Sequence, residues 1–233
     1  EHSQKAAAAG YAEAEYALGF EYDAEGRTDA AIAHYWRFLA AAGDDYRVPV
    51  TWVRLGRALE KQRQYADGEA AYWQALTMLP KDAEAHAGLA DVLLDEGKFA
   101  EAVDEYRQYL RLVPNNGLAY GNLGRALISL DRVEEAAQAF EQAVRRLPNN
   151  PDARMNLGLA LSSLGRLDAA IEQYRAGLRL APGNAVMHSV LGVALAAQGK
   201  REDAMAEFKQ ALTLDPKNPA VQEDFAMTFG RKP

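Results

Sequence analysis

Four histidines, His2, His34, His86 and His188, are the side chains best suited to acid–base or metal chemistry near neutral pH. None has a companion at catalytic or ligand spacing. The chain has no H-E-x-x-H pair, no EF-hand loop, no phosphate-binding G-x-x-x-x-G-K and no dinucleotide-binding G-x-G-x-x-G. It has no cysteine, which removes the thiolate nucleophile, the disulfide and the thiolate metal site together. His86 and His188 stand 102 positions apart, and that regularity predicts equivalent packing roles rather than a shared metal ion. Acidic residues are scattered as they would be over solvated helix surfaces. The expectation is a protein that is not an enzyme and holds no cofactor or metal.

Charge offers a second kind of chemistry, the reading of a ligand. Arg54, Arg57 and Lys61 are spaced i, i+3, i+7, which puts three cations on one helical face. Such a face is either an acid-reading patch or a solvated surface paired with Glu60 and the acids that follow it. The chain as a whole is acidic, with 26 basic and 33 acidic residues, a net charge of −7 and a pI near 5.2. A nucleic-acid binder would carry a basic footprint, so none is expected, and an anionic membrane surface is disfavoured for the same reason. No apolar run of about 18 residues could span a bilayer, so direct membrane insertion is not expected either. The start, Glu1-His2-Ser3-Gln4-Lys5, does not read as a signal peptide, although a chain beginning with Glu is expected to be a trimmed one. With 49% hydrophobic and 25% charged residues the composition is that of a soluble folded protein, cytoplasmic or periplasmic.

The elements that must position these residues announce themselves by a period. Prolines fall at Pro80, Pro114, Pro148, Pro182 and Pro216, each 34 residues after the last. Behind each proline the same slots are filled in the same order. One copy reads Trp52, Leu55, Gly56, Leu59, Gly68, Tyr72, Pro80; the next reads His86, Leu89, Ala90, Leu93, Ala102, Tyr106, Pro114. Then come Tyr120, Leu123, Gly124, Leu127, Ala136, Phe140, Pro148, and Arg154, Leu157, Gly158, Leu161, Ala170, Tyr174, Pro182. The last regular copy is His188, Leu191, Gly192, Leu195, Ala204, Phe208, Pro216. The spacing i, i+1, i+4 puts the Leu, Gly and Leu slots on one helix stripe, and Ala and the ring four residues later on another. Gly97, Asp131, Gly165 and Gly199 predict a left-handed residue between the two helices, with Arg63 the exception. Asn150-Pro151 and Asn218-Pro219 read as an N-cap followed by proline in the first helical turn.

These slots resemble the tetratricopeptide repeat, W-x2-L-G-x2-Y then A-x3-F then P. The resemblance implies an all-α, right-handed α-solenoid of stacked helix-turn-helix hairpins with a C-terminal capping helix. On that pattern residues 49–82, 83–116, 117–150, 151–184 and 185–218 are regular repeats. Residues 12–48 form a divergent repeat, in which Gly43 replaces the proline and a longer exit loop follows; its Gly10-Tyr11-Ala12-Glu13-Ala14 spelling also resembles Sel1-like repeats. Residues 1–11, with Ala6 to Ala9 closed by Gly10, read as the end of a preceding helix. Residues 219–233 read as a capping helix and tail, with Phe225 and Phe229 in packing slots.

The resemblance further implies that the first helix of each repeat lines a concave groove. Carried onto this chain, the groove positions are Tyr16 and Phe20; Arg54, Arg57 and Lys61; Glu84, Asp91 and Asp95; Asn122, Arg125 and Ile128; Met155, Asn156, Leu159 and Ser163; and a nearly apolar set of Val186, Val190 and Val193 with Ala196 and Ala197. No three successive repeats carry the Lys, Asn, Asn, Lys, Arg set of chaperone-tail receptors. Asn122 and Asn156 resemble two rungs of the asparagine ladder of O-linked sugar transferases. The expected function is a protein-interaction scaffold that binds an extended peptide or a helix of a protein partner in the groove. Two other readings stay open: the substrate-recruiting region of a larger enzyme such as a glycosyltransferase, and a self-assembling structural module, a homo-oligomer through the apolar C-terminal groove.

Overall fold

In the computed structural model, which describes residues 2–230, the described residues form thirteen α-helices and no strand. They divide into two compact units, 1–114 and 115–233. The first holds α1 (His2–Ala24), α2 (Thr28–Ala41), α3 (Val48–Lys61), α4 (Tyr65–Met78), α5 (Ala83–Asp95) and α6 (Phe99–Leu112). The second holds α7 (Gly117–Ser129), α8 (Val133–Arg146), α9 (Pro151–Ser163), α10 (Leu167–Leu180), α11 (Ala185–Ala197), α12 (Arg201–Leu214) and α13 (Pro219–Phe229). Within each unit successive helices pair as hairpins, and each hairpin packs on the next. The fold is an all-α helical-repeat solenoid.

One contact recurs down both units and explains the pairing of the Gly and aromatic slots. A Cβ placed on Gly19 would lie 2.7 Å from the Tyr35 ring, and one on Gly56 would lie 2.9 Å from Tyr72. The same clash would occur at 2.5 Å between Gly124 and Phe140, at 2.4 Å between Gly158 and Tyr174, and at 2.8 Å between Gly192 and Phe208. The ring of the second helix thus occupies the space a side chain would take on the first. Tyr35, Tyr72, Tyr106, Tyr174 and Phe208 are all fully buried. The hydrophobic driving force for each hairpin is concentrated in that ring and in flanking leucines such as Leu55, Leu89 and Leu191.

The joints follow from local chemistry. Asp82, Asn116, Asn150, Asn184 and Asn218 sit in extended conformation before α5, α7, α9, α11 and α13, and each side-chain oxygen accepts from a backbone N–H of the first turn. The residues before the repeat prolines, such as Leu79 (ψ 81°), Val113 (ψ 73°) and Leu147 (ψ 63°), leave the helical region, since the proline ring disfavours the α conformation in its predecessor. Between the helices of a hairpin the backbone turns left-handed at Gly26, Gly97, Gly165 and Gly199. It does so also at Asp131 (φ 57°) and at Arg63 (φ 60°). Arg63 is therefore no exception in conformation: the turn geometry is imposed by the hairpin, and arginine adopts it without the freedom of glycine.

One further difference from the sequence expectation concerns the first hairpin. Gly10 does not close a helix, because α1 runs through it to Ala24. A lone glycine costs a helix about 1 kcal/mol without stopping it, and no proline or cap follows. The segment between α2 and α3 is the longer connection expected, and it is clamped. Arg47 donates to Asp45 through Nε at 2.9 Å and Nη2 at 2.6 Å, while its guanidinium lies 5.1 Å from the Tyr16 ring centroid. That bidentate bond holds the Asp45 carboxyl below its ordinary range.

Candidate functional site

The helix faces that the repeat pattern assigned to ligand contact fall into local neighbourhoods, one in the first unit and two in the second. In the first unit the three cations are already engaged. Arg54 lies over Phe20, 4.7 Å from the ring centroid. Arg57 donates to Glu84 at 2.8 Å, and Lys61 to Asp23 at 3.1 Å. Glu84 supplies the partner from the following hairpin, as the solvated-face reading anticipated, and Asp23 supplies the other from the preceding one. Tyr16 is half-buried against Phe38, with ring centroids 5.3 Å apart, so it serves packing as much as any surface.

Beside Arg57 opens a cleft of about 420 Å³, walled by Glu60, Tyr72, Glu84, Asp91 and Tyr109. Tyr72 Oη donates to Glu60 Oε2 at 3.1 Å, and Tyr106 Oη donates to Asp91. Burial pushes the Glu60 carboxyl up, and the charges of Asp91 and Asp95 push it further, against the Tyr72 hydrogen bond and the Arg57 charge. Burial and the facing Glu60 likewise raise the Tyr72 hydroxyl far above its usual range. The face of α5 is acidic and that of α3 basic, and the two meet in the pair of Arg57 with Glu84.

In the second unit the balance is different. A cleft of about 320 Å³ lies between α7 and α9, lined by Arg125, Ile128, Phe140, Asn156, Leu159 and Ser163 among others. Five of those six are groove positions read from the sequence, and the structure brings them together. Phe140, the sixth, is the aromatic slot of α8 and is buried at the floor of the cleft; sequence reading gave it a packing role alone. Ile128 and Leu159 are 42% and 40% exposed, enough to offer apolar contact rather than core. Arg125 donates to Asn122 Oδ1 at 3.3 Å. Met155 is half-buried, one residue before Asn156.

The apolar positions of α11 lie apart from this cleft. Val186 and Val190 are half-buried and Val193 is 38% exposed. The aromatic residues of α13 turn towards α12, where Phe225 and Phe229 stand 5.6 and 5.7 Å from Phe208. The contact of α13 with α11 is polar at one point, Ser189 Oγ donating to Asp224 Oδ2 at 2.8 Å.

His86 and His188 share one arrangement. His86 Nδ1 meets Glu105 Oε2 at 2.6 Å and its Nε2 lies 3.2 Å from the Pro80 carbonyl; His188 repeats both contacts, with Glu207 at 2.6 Å and Pro182 at 3.1 Å. Arg154 fills the same slot and donates to the Pro148 carbonyl and to Gln173. The equivalence expected from the spacing of His86 and His188 is a latch from the first helix to the preceding proline turn. His34 makes a third carboxylate pair, with Glu15 at 2.6 Å, which sequence reading missed because its histidine lies on the second helix and its acid on the first. Among the described residues no group of three or more His, Cys, Asp or Glu could hold a metal ion, and no helix is long and apolar enough to cross a membrane.

Family models described as tetratricopeptide repeat match residues 53–117, 122–185 and 185–218. Among solved structures, the MamA protein is 26% identical over 73% of this chain and 93% of that one, with a TM-score of 0.70. YrrB, described as a TPR protein with an unusual peptide-binding site, is 25% identical over 79% of this chain and 95% of its own, with a TM-score of 0.73. A tetratricopeptide repeat protein of Parabacteroides merdae covers 94% of this chain and 85% of its own at 16% identity, with a TM-score of 0.75, a likeness of fold. No curated protein matches the chain.

Proposed function

The chain belongs to the tetratricopeptide repeat family, and from that premise we propose that it is a protein-interaction scaffold whose first-helix faces bind an extended peptide or a helix of a protein partner. The observation that carries this reading is the cleft between α7 and α9, where Ile128 and Leu159 stay exposed beside Arg125 and Asn156. Half-exposed aliphatic side chains next to polar groups suit a partner's side chain set in an apolar seat and its backbone hydrogen-bonded alongside. The similarity to a peptide-binding TPR protein supports the same reading. Packing of each hairpin on its neighbour keeps such a face preorganised, so little ordering cost is left for the moment of binding.

The test is a random-peptide display selection on the intact chain, followed by titration of the selected peptides against Leu159→Asp. Loss of binding by tenfold or more with an unchanged melting curve is the expected result, since about 1.4 kcal/mol of contact suffices for that factor. Peptides that bind the variant as tightly as the parent would place the binding face elsewhere.

A further inference from the structure

Cations on the ligand-facing helix faces are treated unequally. Arg57 and Lys61 each have a carboxylate within 3.1 Å, and Arg54 is stacked on Phe20. Arg125 has no acidic partner among the described residues: its one hydrogen bond to a side chain goes, at 3.3 Å, to the neutral amide oxygen of Asn122. It is exposed, and the cleft beneath it is lined by Ile128, Phe140, Leu159 and Ala160 with no acid at all. Opposite, on α9, the half-buried Asn156 makes no side-chain hydrogen bond to another described residue. In a chain of net charge −7, a groove arginine left without a carboxylate beside an apolar seat is a charge whose complement is missing from the chain itself.

Resting on the reading of the first-helix faces as a peptide site, we infer that the α7–α9 cleft selects a partner segment with an aliphatic side chain close to a carboxylate. The aliphatic group sits among Ile128, Phe140 and Leu159; the carboxylate accepts from the Arg125 guanidinium; Asn156 bonds the backbone between them. A guanidinium offers five donors in a planar fork that matches a carboxylate, so the pairing carries orientation as well as charge. The apolar floor supplies contact area and lowers the local dielectric, which strengthens the ion pair relative to one in open water. A basic or neutral residue at the same place leaves Arg125 unpaired, and the discrimination follows from that.

The probes are three fluorescein-labelled peptide pools of equal length. Each has leucine fixed at one position, glutamate, glutamine or lysine fixed two positions later, and a mixture of uncharged residues elsewhere. They are titrated by fluorescence anisotropy against the intact chain, Arg125→Gln, Arg125→Glu and Leu159→Asp, with thermal melting of each variant alongside. The expected pattern is about tenfold tighter binding of the glutamate pool than of the lysine pool. Arg125→Gln removes that preference, Arg125→Glu inverts it, and raising salt weakens the glutamate pool selectively. Pools that bind, lose binding in Leu159→Asp, yet show no preference for glutamate would overturn this inference and leave the peptide-binding reading standing. A preference that survives Arg125→Gln also overturns it. If no pool binds the parent chain at all, this inference falls, and the peptide-binding reading is decided by the display selection alone.

Discussion

A buried carboxylate beside a histidine is where a single residue makes its largest electrostatic demand. Glu15 is buried on α1, and burial alone would raise its carboxyl above the ordinary range. Hydrogen bonds from His34 and Tyr11, with the charges of His34 and Arg37, outweigh burial and leave the group lowered. A carboxyl whose folded value lies below its unfolded one adds stability that is present above the unfolded value, near 4.3 for glutamate, and is lost as pH falls through the folded value. Urea midpoints of the parent and Glu15→Gln are therefore expected to differ most near neutral pH and to converge as pH is lowered below about 4. A difference that stays constant across that range would show that the carboxyl is not lowered. The pair also shows what sequence could not disclose. His86 and His188 declared themselves by occupying one slot three periods apart. Glu15 and His34 hold the acid and the base in the reverse order, and only the packed hairpin puts them within 2.6 Å.

At the scale of the element, the joint between two helices of a hairpin shows how strongly the fold imposes its geometry. Where Gly97, Gly165 and Gly199 turn left-handed at no steric cost, Arg63 and Asp131 take the same turn with a Cβ in place. The Arg63 joint is closed by Arg63 N–H donating to the Glu60 carbonyl at 2.8 Å and Gln64 N–H donating to the Leu59 carbonyl at 2.9 Å. Arg63→Gly is expected to stabilise the chain by about 1 kcal/mol, the steric relief outweighing the entropy glycine adds to the unfolded state. Asp131→Gly is expected to gain less, because aspartate tolerates the left-handed region better. Chemical denaturation of the two variants decides it, and a loss at Arg63 would mean that its side chain does more for the hairpin than its backbone costs. Slots, caps and proline stops were legible because each is a local rule repeated in phase. The conformation of Arg63 was not, since the residue type argues against what its neighbours on both sides require.

Across the molecule, stability is expected to be a sum over neighbouring hairpins rather than a property of one core. In the second unit α13 contributes Val221, which is fully buried, the two phenylalanines against Phe208, and the bond from Ser189 to Asp224. Ending the chain at Asn218 removes these contacts. Hydrogen exchange is expected to speed up in α11 and α12 and to stay unchanged in α3 to α5, with a lowered unfolding midpoint for the second unit. Uniform acceleration in all helices would instead show a single cooperative block. Repeat phase put Arg125, Ile128, Asn156, Leu159 and Ser163 on corresponding faces of α7 and α9, where they line one cleft, but it gave Phe140 a packing role alone. What the phase could not supply was the partner of each charge, and so it did not separate the satisfied Arg57 and Lys61 from Arg125.

The short reach of the side-chain bonds that tie hairpin to hairpin bears on how the chain is made. Lys61 finds Asp23 at 38 residues' remove, and Ser189 finds Asp224 at 35, each little more than one repeat. A ribosome adds about 5–20 residues per second, so one repeat emerges in a few seconds. Helical structures built from such near neighbours form in roughly microseconds to milliseconds. Within each unit a hairpin can therefore dock on its predecessor before the next has been translated, and the apolar stripe of an unfinished repeat is exposed only for the seconds its partner takes to appear.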